Sequence, residues 1–484
     1  MNKELRRVSI VVLLMFIALF TSSTIIQVFQ QDNLKADGRN ARTLYASFSA
    51  ERGPIVVDGE PIASSVPVND EYKYQRTYAD GEMYSAVTGY FTLNQGNTGV
   101  EGALNDYLSG TANEQFLDQL NAVFTGQNPK GAAVELTIDP VVQKAAWDAL
   151  GNQKGAVVAL DPKTGAILAM VSKPAFDPAA LATHDGAEFR ASYDALIGDP
   201  DDPLINRAIA GDLNPPGSTF KLIVTATALE NGYSPDDTFP NPGSLTLPQS
   251  NAVITNAEGG ACGGGAKASI ATALRLSCNI PFAQLGLELG YSKIAQQARE
   301  FGFGDKDLQI PMRVEPSVYP PTASDAEQML SSFGQASDRV TPLQMAMVSA
   351  SVANGGQLMQ PTLIESITAP DLTVIQPFDP QVYSTPMSAE TAATMTQMMV
   401  NGVSNGAASN ARINGVEVAG KTGTAENGAG EPFTLWFTGF APANDPRVAV
   451  AVVVENGGGL GQSGFGNLVA APIARTVMEA VLNR

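Results

Sequence analysis

Histidine is almost absent from this sequence. Its 484 residues include one histidine, His184, in the stretch ATHDGAEF. Zinc sites and Ser-His-Asp triads depend on histidine, and nothing around His184 supports either, so we interpret it as a solvated loop residue. We therefore expect no metal and no cofactor, and any serine nucleophile in this chain needs a different base.

Basic residues are also scarce. Lys and Arg number 29 against 48 Asp and Glu, which gives a formal net charge of −19. Nucleic-acid binding needs basic patches that neutralise phosphate, so this balance argues against a nucleic-acid partner. A hydrophobic content of 44% and a charged content of 16% are typical of a globular protein. The length allows two or three domains with sizeable cores.

Cysteine is limited to Cys262 and Cys278. Cysteine pairs of this kind fit an oxidising compartment. Cys262 lies in the glycine-rich run GGACGGG, which leaves its thiol free to reach Cys278. We predict a disulfide between them, with two free thiols as the alternative.

One long uncharged run lies near the N-terminus. The segment MNKELRR is basic, and Val8 to Phe29 follows without a charged residue. As a helix this run would be about 33 Å long, enough to cross a bilayer. A cleaved signal peptide is the alternative, but its apolar core is usually shorter and no small-x-small cleavage site follows this one. We predict an uncleaved signal anchor at 8–29, with residues 1–7 in the cytoplasm and the remainder outside the cell membrane.

Residues 30–130 are polar and mixed in composition. The stretch RGPIVVDGEPIASS predicts a hairpin that turns at Asp58-Gly59. The stretch TGVEGALNDYLSG predicts one short amphipathic helix over 98–110. No catalytic constellation is found in this region, so we interpret it as a non-catalytic docking or pedestal domain with an α+β fold.

The region 131–484 begins and ends with β-rich stretches. KGAVVALDPKTGAILAMVS predicts a hairpin of two apolar strands, and the middle of the region is mostly helical. Three further strands are predicted over 417–425, 434–441 and 447–455, followed by a helix over 467–482. This order predicts an α/β (α+β) domain with a mainly antiparallel sheet flanked by helices.

The stretch PPGSTFKLIV places a serine and a lysine three residues apart. A helix is predicted from Ser218 to about Glu230, and it is apolar on nearly every face, as in a buried helix. The spacing places Ser218 and Lys221 on one face. A buried lysine can be neutral near pH 7 and take the proton of a serine hydroxyl. Alone the motif is weak, because a helix cap followed by a solvated lysine has the same pattern.

Two later motifs accompany this one. In LSCNIP, Ser277 and Asn279 flank Cys278 in a predicted tight connection between helices, where a hydroxyl and an amide could relay a proton and hold a substrate amide. Local helix capping is the alternative. In AGKTGTAEN, Lys421 supplies positive charge to a predicted strand, and Gly423 indicates that another backbone comes close.

The same strand carries two hydroxyls. Thr422 and Thr424 could bind a carboxylate, and an extended peptide could add to the edge of the strand. Strict alternation places Lys421 and Thr422 on opposite faces, so both serve one site only if the strand twists or the site wraps around its end. An ordinary exposed strand is the alternative.

In this order the three motifs resemble the S-x-x-K, S-D-N and K-T-G signature of penicillin-binding proteins and class A β-lactamases. The second motif reads SCN rather than SDN, at a position that varies in the family. GAVVALDPKTGAILAMVSKPAFDP, NRAIAGDLNPPGSTFKL, TPLQMAMVSASVANGG and WFTGFAP extend the resemblance to class B penicillin-binding proteins over residues 154–484. ERGPIVVDG resembles the start of their non-catalytic module, and the compact N-terminal region is most similar to the actinobacterial penicillin-binding protein A group.

The resemblance implies a penicillin-binding transpeptidase domain that cross-links peptidoglycan. Ser218 would attack the D-alanyl-D-alanine end of a stem peptide, with Lys221 as its base. Ser277 would pass a proton to the leaving amine, with Lys421 beside it. Asn279 would hold the substrate amide.

The resemblance also implies how substrate and inhibitors bind. Thr422, Gly423 and Thr424 would form the substrate-binding strand, and the backbone N–H groups of Ser218 and Thr424 would form the oxyanion hole. β-Lactams would acylate Ser218. The implied partners are peptidoglycan stem peptides and a membrane-embedded peptidoglycan glycosyltransferase.

Other functions of the same fold are less well supported. A class A β-lactamase needs a glutamate in an E-x-x-L-N pattern between the second and third motifs, and the match EGALN at Glu101 precedes Ser218. A D,D-carboxypeptidase would need only water in place of the acceptor amine, and a β-lactam-binding scaffold would need no turnover. The membrane anchor and the separate N-terminal module favour the transpeptidase.

Overall fold

The structure is a computed structural model that describes residues 2–26, 30, 50–92, 95–116, 124, 130–257 and 259–484. Part of the predicted anchor (27–29) and several stretches of the predicted 30–130 domain lie outside these residues.

The helices span Asn2–Thr24, Gly81–Thr88, Gly99–Ala103, Asn105–Leu108, Pro140–Leu150, Gly186–Gly198, Lys221–Glu230, Ile270–Leu276, Asn279–Leu289, Tyr291–Glu300, Asp325–Ser331, Pro342–Ala353, Ala389–Asn405 and Ala470–Leu482. The strands are β1 Ile55–Val57, β2 Glu60–Pro67, β3 Tyr74–Tyr78, β4 Ala133–Leu136, β5 Gly155–Leu160, β6 Ile167–Lys173, β7 Thr238–Pro240, β8 Ser244–Thr246, β9 Val253–Thr255, β10 Lys267–Ser269, β11 Leu358–Met359, β12 Ile364–Thr368, β13 Val374–Gln376, β14 Val382–Ser384, β15 Ala419–Ala425, β16 Thr434–Ala441 and β17 Val448–Val454.

The first helix is a candidate single-pass membrane anchor. Its span Lys3–Thr24 has a mean hydropathy of 1.9, and none of it is buried against the rest of the protein. An apolar helix of this length can cross a bilayer, whereas an apolar helix in a soluble domain is normally covered.

A five-stranded antiparallel sheet, in the order β15-β16-β17-β5-β6, forms the centre of the C-terminal region. The predicted hairpin (β5 and β6) and the predicted meander (β15, β16 and β17) are confirmed, and both lie in this sheet. Successive strand residues such as Val157 and Val158 belong to two different buried clusters, because neighbouring side chains of a strand point to opposite faces. The helix Pro342–Ala353 covers one face, and Pro140–Leu150 and Ala470–Leu482 cover the other.

A second sheet crosses the predicted domain boundary at 130/131. Its order is β13-β12-β4-β1-β2-β3. The predicted hairpin at Asp58-Gly59 (β1 and β2) is confirmed. β4 pairs in parallel with β1, and β12 pairs with β4 in antiparallel fashion. Ile55, Val134 and Ile367 are consequently buried in one hydrophobic cluster.

A buried ion triad organises the N-terminal region. Glu101, which lies in the E-x-x-L-N match, accepts from Nε of Arg52 and from Nε of Arg76, both at 2.6 Å. Burial disfavours its charge, but the two guanidinium groups outweigh burial and hold the pKa of Glu101 below its ordinary value. Arg52 also donates to the backbone oxygen of Glu101. The single helix predicted over 98–110 is two short helices that break at Leu104, where φ is −111° and ψ is 26°.

His184 is less solvated than predicted. Its side chain is 12% exposed, and Nδ1 lies 2.6 Å from Oδ2 of Asp70. His184 therefore joins its loop to the loop that precedes β3.

Candidate active site

The predicted helix at Ser218 consists of two parts. Gly217–Phe220 forms one turn of 3₁₀ helix, and the α-helix runs over Lys221–Glu230. The α-helix thus begins three residues later than predicted, with Lys221 as its first residue. Both Ser218 and Lys221 are buried, in agreement with the apolar character of the stretch.

The amine of Lys221 lies against the second motif. Nζ donates to the backbone oxygen of Ser277 at 2.9 Å and to Oδ1 of Asn279 at 2.8 Å, and it lies 5.5 Å from the ring centroid of Phe282. Neither hydrogen-bond acceptor is charged. Burial, together with repulsion from Lys421, therefore holds the pKa of Lys221 well below its ordinary value. A neutral amine has two N–H bonds and one lone pair, so these two acceptors leave the lone pair free to take a proton.

Ser277 ends one helix and Asn279 begins the next. Ser277 follows the helix Ile270–Leu276 in the left-handed conformation, with φ 62° and ψ 36°. The predicted tight connection between helices is therefore present. It presents the backbone oxygen of Ser277 to Lys221 and the hydroxyl of Ser277 to Lys421.

Lys421 connects the third motif to the second. Its Nζ donates to Oγ of Ser277 at 2.7 Å and to the backbone oxygen of Thr422 at 2.8 Å. Burial lowers the pKa of Lys421 to about 7. Two lysines of depressed pKa therefore lie on either side of Ser277, and Lys421 can gain or lose a proton near neutral pH.

The hydroxyls of the third motif point elsewhere. Oγ1 of Thr422 donates to the backbone oxygen of Ala407 at 3.2 Å, and Oγ1 of Thr424 accepts from the backbone N–H of Gly466 at 3.2 Å. The alternation along β15 explains this arrangement. The structure thus joins Lys421 to the second motif, and it places both threonine hydroxyls beside backbone groups outside the three motifs.

Gly423 allows β15 to lie directly against the serine turn. A Cβ at this position would be 2.8 Å from the backbone oxygen of Pro216 and 2.9 Å from Cβ of Trp436. The predicted close backbone approach is therefore confirmed. Within the described residues, β15 pairs with β16 alone, so its other edge has no strand partner and could accept an extended peptide.

Two residues outside the motifs hold the serine turn, and neither was predicted from the sequence. Nε1 of Trp436 donates to the backbone oxygen of Pro215 at 2.9 Å, and the backbone N–H of Gly217 donates to the oxygen of Gly334 at 2.9 Å. A buried tryptophan needs an acceptor for its N–H, which is the one signal that could have indicated Trp436. Gly334 has a φ of +79°, and a Cβ there would collide with the oxygen of Gly217.

The two cysteines are joined in a disulfide. Cys262 and Cys278 have a Cα–Cα separation of 5.8 Å, and Cys278 is fully buried between Ser277 and Asn279. The glycine-rich loop that carries Cys262 is thereby attached to the second motif.

Comparison with known proteins identifies the family. The model of the penicillin binding protein transpeptidase domain matches residues 155–479, and that of the penicillin binding protein A dimerisation domain matches residues 52–134. The chain is 41% identical to peptidoglycan D,D-transpeptidase PbpA of Mycolicibacterium smegmatis, over 100% of this chain and 99% of the relative. It is 39% identical to the Mycobacterium tuberculosis protein of the same name, with the same coverage.

Solved structures agree with this identification. The fold superposes on the ceftriaxone acyl-enzyme complex of M. tuberculosis penicillin-binding protein A with a TM-score of 0.87 and 38% identity, covering 90% of this chain and 100% of that one. The penicillin G acyl-enzyme complex of the same protein gives a TM-score of 0.84 with the same identity and coverage. The three motifs, the antiparallel sheet that holds them and these full-length similarities together show that this chain belongs to the penicillin-binding protein transpeptidase family.

Proposed function

We propose that this protein cross-links peptidoglycan through an acyl-enzyme formed on Ser218. As a member of its family, the chain is a serine-type peptidoglycan D,D-transpeptidase. The observation that best supports Ser218 as the attacking residue is that Lys221 lies buried one turn after it. The two groups that accept hydrogen bonds from the Lys221 amine are both uncharged.

In the proposed acylation, the lone pair of Lys221 takes the proton from Oγ of Ser218. Oγ then forms a bond to the carbonyl carbon of the penultimate D-alanine, and the bond from that carbon to the nitrogen of the last D-alanine breaks. The leaving nitrogen takes a proton from Oγ of Ser277, which Lys421 resupplies. The backbone N–H groups of Ser218 and Thr424 stabilise the oxyanion.

In the proposed complex, the stem peptide lies along the free edge of β15. Asn279 holds a substrate amide through Nδ2, which has two N–H bonds and uses one of them on Thr255. Thr422 and Thr424 bind the terminal carboxylate, near the positive charge available from Lys421. Their hydroxyls bond to backbone groups in the free protein, so this role needs those hydroxyls to rotate or to accept additional bonds.

In the second step, the amine of another stem peptide attacks the acyl group and releases Ser218. A β-lactam acylates the same oxygen with cleavage of its lactam C–N bond, but the released nitrogen stays tethered to the acyl group through the other carbons of the opened ring. The leaving group therefore cannot depart, and the acyl-enzyme persists.

We also propose an arrangement at the cell membrane. The N-terminal helix is a single-pass anchor with residues 1–7 in the cytoplasm and both domains outside. Residues 30–130 form a docking domain and residues 131–484 the transpeptidase domain, and a membrane-embedded peptidoglycan glycosyltransferase is the partner. The basic segment before the apolar helix supports this orientation.

Mass spectrometry after incubation with penicillin G tests the assignment of Ser218. We expect one β-lactam adduct per chain, mapped to the peptide that contains Ser218, and none in Ser218→Ala. An adduct that persists in Ser218→Ala would overturn the assignment. Incubation with a D-Ala-D-Ala peptide and an amine acceptor should give the cross-linked product, whereas exclusive hydrolysis would identify a carboxypeptidase.

A further inference from the structure

The helix that carries Asn279 has no N-terminal cap of its own. The first N–H groups of a helix lack intrahelical acceptors, and the residue before the helix usually supplies one from its side chain. Here that residue is Cys278, in an extended conformation with φ −62° and ψ 135°. Its Sγ is bonded to Cys262, and it makes no side-chain cap bond.

A distant asparagine supplies the missing acceptor. Oδ1 of Asn256 accepts from the backbone N–H of Asn279 at 2.9 Å and from that of Ile280 at 3.1 Å. Asn256 is 3% exposed and lies 23 residues before Asn279 in the chain. The bond from Ile280 is the one that an oxygen acceptor at position 278 would make, because a cap accepts from the second or third residue of the helix and the third here is Pro281, which has no N–H.

Asn256 is itself held rigidly. Its Nδ2 donates to Oδ1 of the buried Asn241 at 3.3 Å and to the backbone oxygen of Gly260 at 3.1 Å. Nδ2 of Asn241 donates in turn to the backbone oxygens of Cys262 and Gly265, at 2.7 and 2.9 Å. Since both nitrogen and oxygen of Asn256 are occupied, the orientation of its amide is determined by the network.

The residue before Asn256 orients the side chain of Asn279. The backbone oxygen of Thr255 accepts from Nδ2 of Asn279 at 3.0 Å. With Nδ2 held on this side, Oδ1 of Asn279 faces Lys221, at 2.8 Å. The segment Thr255–Asn256 therefore contacts Asn279 at both its backbone and its side chain.

We propose that Asn256 is a positioning residue for the second motif, because it caps the helix of Asn279 from a distant point in the chain and so keeps Oδ1 of Asn279 on Lys221. The inference rests on the proposed function, in which Lys221 is the base. Oδ1 of Asn279 occupies one N–H bond of Lys221 and thereby helps to aim its lone pair. In motifs with Asp in the middle, as in S-D-N, that carboxylate can cap the helix directly. Here the disulfide occupies the middle residue, and Asn256 takes over its capping role.

The first test compares Asn256→Ala with Asn206→Ala. Asn206 is a matched control, since its Nδ2 donates to the backbone oxygen of Ala86 and its Oδ1 accepts from the backbone N–H of Ala208. Both variants of the full-length protein in detergent are assayed for thermal stability and for the second-order rate of acylation by a fluorescent penicillin across pH. Asn256→Ala should lower the rate by about tenfold to a hundredfold, as misplacement of a reacting group does. It should also shift the acid limb of the pH profile, because the surroundings of Lys221 change. Asn206→Ala should lower the thermal stability but leave the acylation rate and its pH profile unchanged.

The second test restores a cap at the original position. In a background with Cys262→Ser and Asn256→Ala, Cys278→Asp supplies an N-cap carboxylate and Cys278→Ala does not. We expect the Asp variant to be acylated about tenfold faster, which corresponds to recovery of about 1.4 kcal/mol. Equal acylation rates in the two variants would overturn the inference. Acylation of Asn256→Ala at the wild-type rate would overturn it as well. If Asn256→Ala does not fold, recovery of folding by Cys278→Asp but not by Cys278→Ala in that background supports the inference, and failure of both variants to fold overturns it. A wild-type protein that is not acylated at Ser218 would contradict the proposed function instead.

Discussion

Nζ of Lys421 lies 2.7 Å from Oγ of Ser277, although 144 residues separate the two in the chain. The contact forms because an edge strand of the five-stranded sheet passes beside the left-handed connection that ends the helix Ile270–Leu276. It joins two motifs that are each weak alone. Together with the bond from Lys221 to Asn279, it places a hydroxyl between two amines whose pKa values burial holds below the ordinary value for lysine.

Lys221→Arg should abolish acylation by penicillin G while the fold stays intact by circular dichroism. Arginine keeps the positive charge but cannot give up a proton at ordinary pH. Lys173→Arg is the control, because Lys173 is partly buried and likewise donates to uncharged acceptors, the backbone oxygens of Trp147 and Gly151. The control should be acylated at the wild-type rate. Near-normal acylation of Lys221→Arg would show that the base lies elsewhere.

The wild-type acylation rate should fall as the pH is lowered through the folded pKa of Lys221. Burial and the neighbouring Lys421 lower that pKa, so the neutral base is present above it and protonated below it. Stopped-flow acylation at a series of pH values measures the acid limb. A rate that stays constant down to the lowest pH at which the protein remains folded would contradict a lysine base.

Lys421→Met should flatten the pH dependence of stability above neutral pH. The folded pKa of Lys421 is lowered to about 7 from 10.5, so between these values the unfolded chain binds more protons and wild-type stability rises with pH. The slope is about 1.4 kcal/mol per pH unit for one proton. Chemical denaturation at several pH values should show a smaller slope for Lys421→Met than for wild type. The exposed Lys163→Met should keep the wild-type slope. An unchanged slope in Lys421→Met would show that Lys421 is charged in the folded state.

Reduction of the disulfide should slow acylation more than it lowers the melting temperature. The bond between Cys262 and Cys278 attaches the loop to the second motif, so its loss acts on the site directly. The chain-entropy model gives a stability contribution of about 3 kcal/mol for a loop of this size. Thiol titration of the denatured, unreduced protein provides the check, and two free thiols per chain would end the disulfide assignment.

Glu101→Gln should destabilise the N-terminal region by about 3–5 kcal/mol, because it leaves Arg52 and Arg76 buried without their counter-charge. Glu135→Gln is the control, since Glu135 lies on β4 in the N-terminal sheet and, within the described residues, accepts from the exposed backbone N–H of Gly59 at 3.0 Å. It should change stability by no more than about 0.5 kcal/mol. Chemical denaturation measures the free energy of unfolding of both variants. If Glu101→Gln has the same free energy of unfolding as the wild type, the triad contributes little to stability.

The amino-acid sequence by itself determined the local elements and the chemistry of the motifs. The hairpin at Asp58-Gly59, the hairpin of β5 and β6 and the meander of β15 to β17 follow from turn residues and apolar strands within a short stretch of chain. The buried lysine of depressed pKa follows from the apolar helix around it. The alternation of side chains along a strand is enough to place Lys421 and Thr422 on opposite faces of β15.

Only the tertiary structure decided how distant segments meet. β12, far along the chain, completes the N-terminal sheet, and the oxygen of Gly334 holds the serine turn. Asn256 caps a helix that begins 23 residues later, and Arg52 and Arg76 meet Glu101 in a buried ion triad. No periodicity or spacing marks these contacts, because their free energy comes from burying and pairing groups that become neighbours only when the chain has folded.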